Sequence, residues 1–309
     1  MILNSPYTKS HFLKSLFTIL SINLFSSAAF AEDEVYVAEI KDNKLVSIEN
    51  ISQRQGYDNQ PHFTADSNSL LFTAMYEVKG ADGKATQQTD SLHFDLTTKK
   101  TSNLTSSAAS EYSPTITPDG KHFSVIRVGD DGKQLLWQYP YSPQETKNEL
   151  VGESLIPSVF DVGYHVWLNS DELLLFVLGD PMTLQRVQLS TGKTQPVDIN
   201  IGRTLRKVPN ENLYSYTKAD GKQWQLKLYN PADKTVETSV TLPANNMYYA
   251  WHQSGALLSA DKAIVMKNEL DEEGKWQPFL DFSSNCKGDI TRMVMSENSV
   301  YLAFVCATK

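Results

Sequence analysis

Short segments of alternating apolar and polar residues recur along this chain, and two of them are nearly the same phrase. Residues 61–74 (PHFTADSNSLLFTA) and 114–127 (PTITPDGKHFSVIR) each place a proline, a Thr-x-Asp turn and a β-rich run in that order. Weaker copies of the phrase follow at 165–178, 205–218, 249–260 and 292–305. Self-similarity at roughly 40–50 residues, with four short strands per unit, is typical of a β-propeller. The pattern therefore predicts an all-β propeller.

Each repeat unit is predicted to form four antiparallel strands, named a to d from the propeller axis outward. Strand b is predicted at 70–76, 122–128, 172–178, 213–218, 256–260 and 299–306. Strand c is predicted at 91–96, 134–140, 183–189, 223–229 and 263–268. Between the first b and c strands, the Gly-, Ala-, Gln- and Thr-rich segment 77–89 is expected to be a flexible loop, and its use as a contact arm stays open.

The tripeptide Asp-Gly-Lys occurs between these strands at 82–84, 119–121, 131–133 and 220–222. It indicates hairpin turns, because glycine accepts the positive φ that a tight turn requires. A calcium-binding interpretation of these acidic turns is weaker, since the D-x-[DN]-x-[DN]-G pattern is missing and turn chemistry explains them.

The last unit offers only two strands, at 290–295 and 299–306. Near the start of the chain, 34–40 (EVYVAEI) and 44–50 (KLVSIEN) alternate apolar and polar positions as half-buried strands do. We expect this pair to complete the C-terminal blade, which closes the ring and removes an open sheet edge. The predicted count is six blades; five or seven stay open, because the fourth and sixth units match the pattern least well.

The first 31 residues have the pattern of a secretory signal peptide. A basic start with Lys9 and Lys14 precedes an apolar stretch over 16–25, and Ala29-Phe30-Ala31 forms an A-x-A cleavage site. A membrane-spanning interpretation fits less well, because the stretch is shorter than the ~20 apolar residues that a spanning helix needs. We therefore expect an exported protein, periplasmic or secreted, with one propeller domain over 32–309 and no membrane insertion.

Charge narrows the class of partner. Residues 32–309 carry 26 Lys and Arg against 36 Asp and Glu, a formal charge of about −10. A surface for nucleic acid or for anionic lipid would need a basic face. The acidic balance argues against both partners, and the protein is expected to be a soluble monomer.

The chain has two cysteines, Cys286 and Cys306. An even count in an exported protein favours a disulfide. The hairpin predicted over 290–305 turns near 297–298, which places Cys306 opposite about Asp289 and within reach of Cys286. The closed loop would stabilise the fold by roughly 3 kcal/mol. A redox pair is the alternative, but its CxxC spacing is missing.

The repeats resemble a known family. The segment 117–125 (TPDGKHFSV) fits the pattern P-D-G-K-x-[ILF] followed by a β-run, and 63–72 fits it with Ala65 for Pro and Ser67 for Gly. This is the pattern of the TolB-like propeller repeat, and the resemblance extends over 55–306. It implies a free-standing propeller without the α/β domain that precedes the propeller in TolB. It also implies a docking surface in the bacterial envelope for a protein or peptide partner.

Standard catalytic motifs do not accompany the repeats. The sequence lacks a G-x-S-x-G elbow, an H-E-x-x-H motif, a Cys/His cluster with metal spacing and a G-x-x-x-x-G-K-[ST] phosphate loop. We therefore expect a binding protein with no cofactor and no bound metal rather than an enzyme.

The starts of the inner strands meet at one mouth of a propeller channel, where loops on a rigid scaffold often bind ligands. We aligned the units on Phe63, Ile116, Trp167, Trp251 and Val294 to select the residues at that mouth. The predicted ligand-binding residues are Asp58, Asn59, His62, Glu111, Tyr112, Tyr164, His165, Arg203, Tyr248, Tyr249, Asp289 and Arg292. This polar, charged and aromatic set would suit an anionic or zwitterionic ligand or the end of a peptide.

Two other interpretations stay open. Polar residues line the wet channel of any propeller, and tyrosines such as Tyr112 and Tyr249 can simply pack between blades. Alternatively, calcium or another metal in the channel would make the protein a hydrolase or isomerase of a small molecule. The candidate metal ligands are Asp58, Asn59, Glu111, His165 and Asp289. Arg203 and Arg292 at the same mouth count against this alternative, because they would repel a cation.

Overall fold

The computed structural model describes residues 32–79, 83–142, 150–271 and 274–308, which form six four-stranded antiparallel sheets arranged as the blades of a β-propeller. The predicted all-β class and the count of six are confirmed. The predicted signal peptide, residues 1–31, lies outside the described residues. Among the described residues, no helix has the length and apolar character that crossing a membrane requires.

Blades 1 to 5 follow one another along the chain, each starting with its innermost strand. Blade 1 contains β3 (Asp58–Phe63), β4 (Ser69–Lys79), β5 (Ala85–Asp95) and β6 (Lys100–Asn103). Blade 2 contains β7 (Ser110–Ile116), β8 (His122–Val128), β9 (Gln134–Pro140) and β10 (Glu153–Ser154). Blade 3 contains β11 (Val162–Trp167), β12 (Glu172–Val177), β13 (Thr183–Gln188) and β14 (Lys193–Ile199).

Blades 4 and 5 repeat this order, with a single 3₁₀ turn at Pro243–Asn245 between them. Blade 4 contains β15 (Ile201–Lys207), β16 (Tyr214–Asp220), β17 (Gln223–Tyr229) and β18 (Val236–Thr241). Blade 5 contains β19 (Tyr249–Trp251), β20 (Leu257–Asp261), β21 (Ile264–Asn268) and β22 (Gln277–Asp281). The innermost strands contact their neighbours around the ring, except that the innermost strand of blade 3 contacts β8 and β9 of blade 2, and together they form the wall of an axial channel.

Blade 6 is shared between the two ends of the propeller domain. It contains β1 (Glu32–Lys41), β2 (Lys44–Asn50), β23 (Asp289–Met295) and β24 (Tyr301–Thr308). The strand order is β2-β1-β24-β23, so the N-terminal pair completes the C-terminal hairpin as predicted. Val35 lies opposite Val305 in this pairing and both are fully buried, so closure of the ring also completes the apolar core.

The two cysteines form a disulfide on blade 6, with the Cα atoms of Cys286 and Cys306 5.6 Å apart. The pairing confirms the prediction, although Cys306 lies opposite Ile290 rather than Asp289. Both sulfurs belong to the buried cluster that contains Phe282 and Phe304. The crosslink therefore braces the blade on which ring closure depends.

Irregular pairing in the inner strands decides which side chains reach the channel. The register shifts between Asn59 and His62 in β3, and between Tyr112 and Thr115 in β7. A bulge of this kind re-aims the residues on either side of it. His62 and Thr115, after the shift, line the channel, whereas Asp58 and Glu111, before the shift, are buried in the wall.

The strands otherwise agree closely with the sequence pattern. β8, β9 and β17 have the predicted bounds, and the hairpin turn of the sixth unit falls at 296–300. The segment 77–89 differs, because β4 and β5 extend as a ladder until Lys79 lies opposite Ala85. Backbone pairing between the two arms outweighs the flexible composition there, and the predicted long loop is wrong. Residues 80–82 lie outside the described residues.

Candidate functional site: the axial channel

The channel has two dissimilar ends and a narrow middle. At the filled end, where the inner strands start, the channel is occupied by Tyr57, Tyr112, Tyr164, Tyr248 and Arg292. At the open end, where the inner strands finish, a wide cavity faces outward. We call the narrow middle the waist; it is a small cavity that both blade 1 and blade 4 line.

Arg292 is the centre of the filled end. Its guanidinium carbon lies 4.9 Å from the ring centroid of Tyr164 and 5.0 Å from that of Tyr248. Nη2 donates a hydrogen bond to the hydroxyl of Tyr164, and Nη1 donates to Oδ1 of Asn59 at 3.5 Å. A cation between two aromatic faces is stabilised by their quadrupoles, more so when water is excluded. Arg292 therefore joins blades 1, 3 and 6 and occupies the end of the channel.

We call Arg292 and the tyrosines around it the plug. Other residues of the filled end pack against it. Asn59 donates from Nδ2 to Oδ2 of Asp33 at 2.7 Å. Burial raises the pKa of Asp33, opposed by the hydrogen bond from Asn59 and the charge of Arg292. Tyr57 packs edge-on against Tyr112 with ring centroids 6.5 Å apart, and burial raises the pKa of Tyr57 far above its usual value. The Tyr57 phenol is thus neutral, and the charged side chains beside it are Arg292 and Asp33.

The waist is a cavity of about 60 Å³ with an unusual lining. Three arginines, Arg203, Arg206 and Arg292, border it together with the two histidines His62 and His165. Within the part of the chain that the structure describes, no Asp or Glu borders this cavity. The waist is therefore basic, in a protein whose overall charge is acidic.

The histidines of the waist are uncharged at neutral pH. Burial lowers the pKa of His165 to about 3. Burial, with the nearby charge of Arg206 and the neighbouring His165, also lowers the pKa of His62 to about 3. A hydrogen bond between its Nε2 and Oγ of Ser124, 2.7 Å apart, holds the ring of His165 in place. The same Ser124 oxygen accepts a hydrogen bond from Nε1 of Trp167 at 3.0 Å.

The open end is a cavity of about 710 Å³ beyond the waist. Its wall is mainly apolar and includes Phe63, Ile116, Val166, Trp167, Leu205, Val208, Trp251, Val294 and Met295. His62, His165 and Arg206 form its floor, since they line both cavities. The exposed charges of Lys207 and Glu297 lie at the rim. Apolar walls with a few convergent polar groups are typical of ligand pockets.

The predicted site residues fall into three groups. The waist is bordered by His62, Tyr164, His165, Arg203 and Arg292. Asn59, Tyr112 and Tyr248 belong to the filled end, next to Arg292 or Tyr57. Asp58, Glu111, Tyr249 and Asp289 do not line either cavity. Ligand binding by any of the twelve stays a prediction.

The acidic members of the predicted mouth lie in the wall instead. The Asp58 side chain is fully buried and pairs with Arg54, and the Glu111 side chain is fully buried with hydrogen bonds from Ser107 and Tyr139. Burial raises the pKa of Asp58 to about 6 and that of Glu111 to about 7. Neither carboxyl group lies at the mouth, because each is fully buried with its partners in the wall.

Tyr249 and Asp289 are also elsewhere. The hydroxyl of Tyr249 lies 2.9 Å from Oγ of Ser215, and the ring is fully buried against blade 4, which confirms packing between blades. Asp289 begins β23 and lies opposite Ala307, away from the channel lining.

Sequence reasoning missed Arg206, the arginine shared by both cavities. Pairing with the b strands makes Lys207 the counterpart of Phe63, and Met295 rather than Val294 the counterpart in blade 6. Aligning the fourth unit on Lys207 would have placed Arg206 in the same channel position as His62. The basic, irregular phrase at 205–218 obscured that alignment.

The candidate metal ligands named from the sequence have other partners in the described structure. Among residues 32–79, 83–142, 150–271 and 274–308, no three His, Cys, Asp or Glu side chains are grouped as metal ligands. Asp58 and Glu111 lie near Arg54 and Arg127 respectively, and His165 is held by Ser124. The proposed ligands of the enzyme alternative therefore do not converge in the channel.

These features define a six-bladed β-propeller with an axial channel, and its fold is that of the TolB-like propellers. A protein assigned as TolB from Agrobacterium tumefaciens is 13% identical, with a TM-score of 0.64 over 91% of this chain and 99% of that chain. TolB from Acinetobacter baumannii is 10% identical, with a TM-score of 0.54 over 90% of this chain and 64% of that chain.

The fold is shared with enzymes as well. An oligogalacturonate lyase in complex with manganese is 9% identical, with a TM-score of 0.54 over 85% of this chain and 80% of that chain. No family model matches the sequence, and no curated protein matches it significantly. Fold similarity at this level identifies the architecture, and function has to be argued from the channel itself.

Proposed function

We propose that this protein is an exported, periplasmic, monomeric binding module, not an enzyme, and that it docks an envelope protein through an extended polypeptide segment in its axial channel. The observation that carries the proposal is the cavity of about 710 Å³ at the open end. The TolB-like fold supports it, since the resemblance of the repeats implies an envelope docking surface.

The lining of the open end suits a polypeptide. The cavity lies within the roughly 300–1,000 Å³ range of ligand pockets. Trp167 and Trp251 form part of its wall, and tryptophan is enriched among residues that dominate binding energy at interfaces. Lys207 and Glu297 at the rim offer charges of both signs to the flanks of a bound segment. The proposed contact surface is therefore the mouth opposite to the one that the strand starts predicted.

The enzyme alternative has weaker support in the channel. A metal-dependent hydrolase or isomerase needs several oxygen or nitrogen ligands around one point. At the waist the two histidines are accompanied by Arg206 and Arg292 rather than by carboxylates. These charges oppose a divalent cation and favour an anionic or polar segment of a partner.

Site-specific photo-crosslinking in intact cells tests the proposal. A photo-reactive phenylalanine analogue is introduced at Ala65 or Pro118, which are exposed and line the open end. We expect a discrete crosslinked adduct of the same partner from both positions, which mass spectrometry identifies.

The matched control is the same analogue at Val236, which is 39% exposed on the outer strand of blade 4. We expect no adduct of that partner from this position. Docking at the open end would be contradicted by adducts that form from Val236 and not from Ala65 or Pro118, or by no adduct at any position.

A further inference from the structure

The waist is bordered by a half-buried arginine, Arg206, whose charge no carboxylate of the described residues neutralises. Arg206 lies on β15 of blade 4, and its Nη2 donates to the carbonyl oxygen of Met293 on blade 6 at 3.1 Å. Its Nε is buried and has no hydrogen-bond partner among the described residues. Arg206 makes no ion pair with any described carboxylate. An unpaired buried charge is costly, so its retention calls for a compensating partner.

The path of Arg206 across the channel is possible because blade 5 leaves space. Ala250 occupies the position in β19 that corresponds to Arg206 in β15, one residue before the end of the inner strand. Its methyl side chain lets the guanidinium pass in front of blade 5 and reach blade 6. The group that faces the cavity is thus fixed at one end by a carbonyl and unpaired at Nε.

His165 contributes a second unsatisfied group. The indole N–H of Trp167 can only donate, so Oγ of Ser124 accepts from it at 3.0 Å. The Ser124 hydroxyl then donates to Nε2 of His165 at 2.7 Å, in preference to the carbonyl of Thr115 at 3.2 Å. This network places the ring hydrogen of the neutral imidazole on Nδ1, an assignment inferred from the partners. Nδ1 is buried without a partner among the described residues.

Two residues that border the waist, Arg206 and His165, therefore each have a buried nitrogen without a hydrogen-bond partner among the described residues. The cavity of about 60 Å³ exceeds the roughly 10–15 Å³ that one water needs, so it has room for a small polyatomic group. Arg203 and Arg292 border the same space, and no Asp or Glu of the described chain does. Charge-assisted hydrogen bonds from guanidinium groups to an oxyanion are among the strongest that proteins form.

We propose that the waist is an oxyanion site, in which Arg206, with His165 beside it, binds a carboxylate. His62, whose ring borders the same cavity, closes the site from blade 1. The carboxylate belongs either to a free organic acid or to the C-terminus of a polypeptide in the open end. The anion site does not depend on polypeptide docking, because a small acid can enter the waist alone.

The test measures ligand-dependent thermal stability of the purified protein. The probes are sodium acetate and N-acetyl-Ala-Ala as its free acid, each titrated at constant ionic strength against sodium chloride and at pH 7.5. A ligand that binds only the folded state raises the melting temperature with saturation. We expect saturable stabilisation of the wild type by one or both carboxylates, and none by the C-terminal amide of N-acetyl-Ala-Ala.

The decisive variant is Arg206→Met, which keeps the length of the side chain and removes its charge. We expect its carboxylate affinity to fall at least tenfold, while its melting temperature without ligand stays the same or rises, because an unpaired buried charge is removed. Arg206→Lys is expected to recover part of the affinity. Lys222→Met, at an exposed turn of blade 4, removes the same charge elsewhere and is expected to bind as the wild type does.

Two results would overturn the proposal. One is a wild type without saturable stabilisation by acetate or the dipeptide acid. The other is an Arg206→Met protein that melts well below the wild type and responds equally to carboxylate, which would make Arg206 a structural residue. Stabilisation by the dipeptide acid and not by acetate assigns the site to a polypeptide C-terminus, and the converse assigns it to a small acid. The photo-crosslinks at the open end are unaffected by either result.

Discussion

The filled end and the open end of the channel are formed by the same six inner strands, but side chains fill one end and a cavity occupies the other. At the filled end, long aromatic side chains enclose Arg292, which finds a hydroxyl, an amide oxygen and two ring faces. At the open end, shorter apolar side chains such as Val294 leave a cavity, and Arg206 at its floor keeps an unpartnered Nε. We therefore expect the filled end to contribute more to stability than the open end, because Arg292 has more partners than Arg206.

Among the tests of this contrast, we expect the largest effect from Arg292→Met. The variant loses a charged hydrogen bond to Tyr164 and cation–π contacts with two rings. Hydrogen bonds to charged groups contribute roughly 1.5–3 kcal/mol, and a desolvated cation–π contact contributes about 2 kcal/mol. The substitution also removes the cost of burying the guanidinium, which offsets part of this loss. We therefore expect the free energy of unfolding to fall by about 3 kcal/mol. Urea unfolding at pH 7 measures it.

Lys207→Met at the open end is the matched control. Lys207 is exposed at the rim, and substitutions at such surface positions usually change stability by less than about 0.5 kcal/mol. A loss as large in Lys207→Met as in Arg292→Met would show that both ends are equally structural. The contrast would then have no energetic basis.

The pH dependence of stability tests the same comparison at Glu111. This residue lies near the start of β7, on the side of the filled end, and its side chain is buried in the wall. Burial raises its pKa from an ordinary 4.5 to about 7, opposed by the hydrogen bond from Ser107. The folded state therefore holds this proton between pH 4.5 and pH 7 while the unfolded state releases it. Stability contributed by the neutral carboxyl is present below pH 4.5 and is lost as the pH rises through 7.

We expect Glu111→Gln to remove this pH dependence. Between pH 5 and pH 8 the wild type should lose about 2 kcal/mol relative to the variant, from a shift in which each pKa unit corresponds to about 1.4 kcal/mol. The measurement is urea unfolding of both proteins at pH 5, 6, 7 and 8. Glu153→Gln, at an exposed carboxyl of the same blade, should keep the wild-type slope. Parallel slopes for wild type and Glu111→Gln would show that Glu111 is ionised throughout.

The sequence predicted the fold well because the signal for a strand is local. A period of two, with turn residues at fixed distances, set the bounds of β8, β9 and β17 without any tertiary information. The pairing of 34–40 with the last hairpin followed from the need to complete a sheet of known size. Both inferences use only the residues of a single blade and need no information about contacts between blades.

The site was harder to predict because channel lining depends on the bulges. Gln60 and Ser113 have φ of +59° and +56°, and each marks the point where the side chains of its strand change direction. Glutamine and serine are not typical of positive φ, so neither position is recognisable in the sequence. Selecting the starts of the aligned inner strands put Asp58 and Glu111 at the mouth, and the irregular fourth unit left Arg206 out of the alignment.

The smallest effect at the filled end is expected from Tyr164→Phe, which removes only the hydrogen bond between the Tyr164 hydroxyl and Arg292. The Tyr164 hydroxyl accepts from Nη2 of Arg292, whereas the contact recorded between Arg292 and Tyr248 is through the ring. Removing the hydroxyl leaves a buried donor without its acceptor, for which we expect a loss of about 1 kcal/mol in urea unfolding. Tyr248→Phe keeps the ring contact and should change stability by less than about 0.5 kcal/mol. A loss below about 0.5 kcal/mol in Tyr164→Phe as well would mean that ring contacts rather than this hydrogen bond hold Arg292 in place.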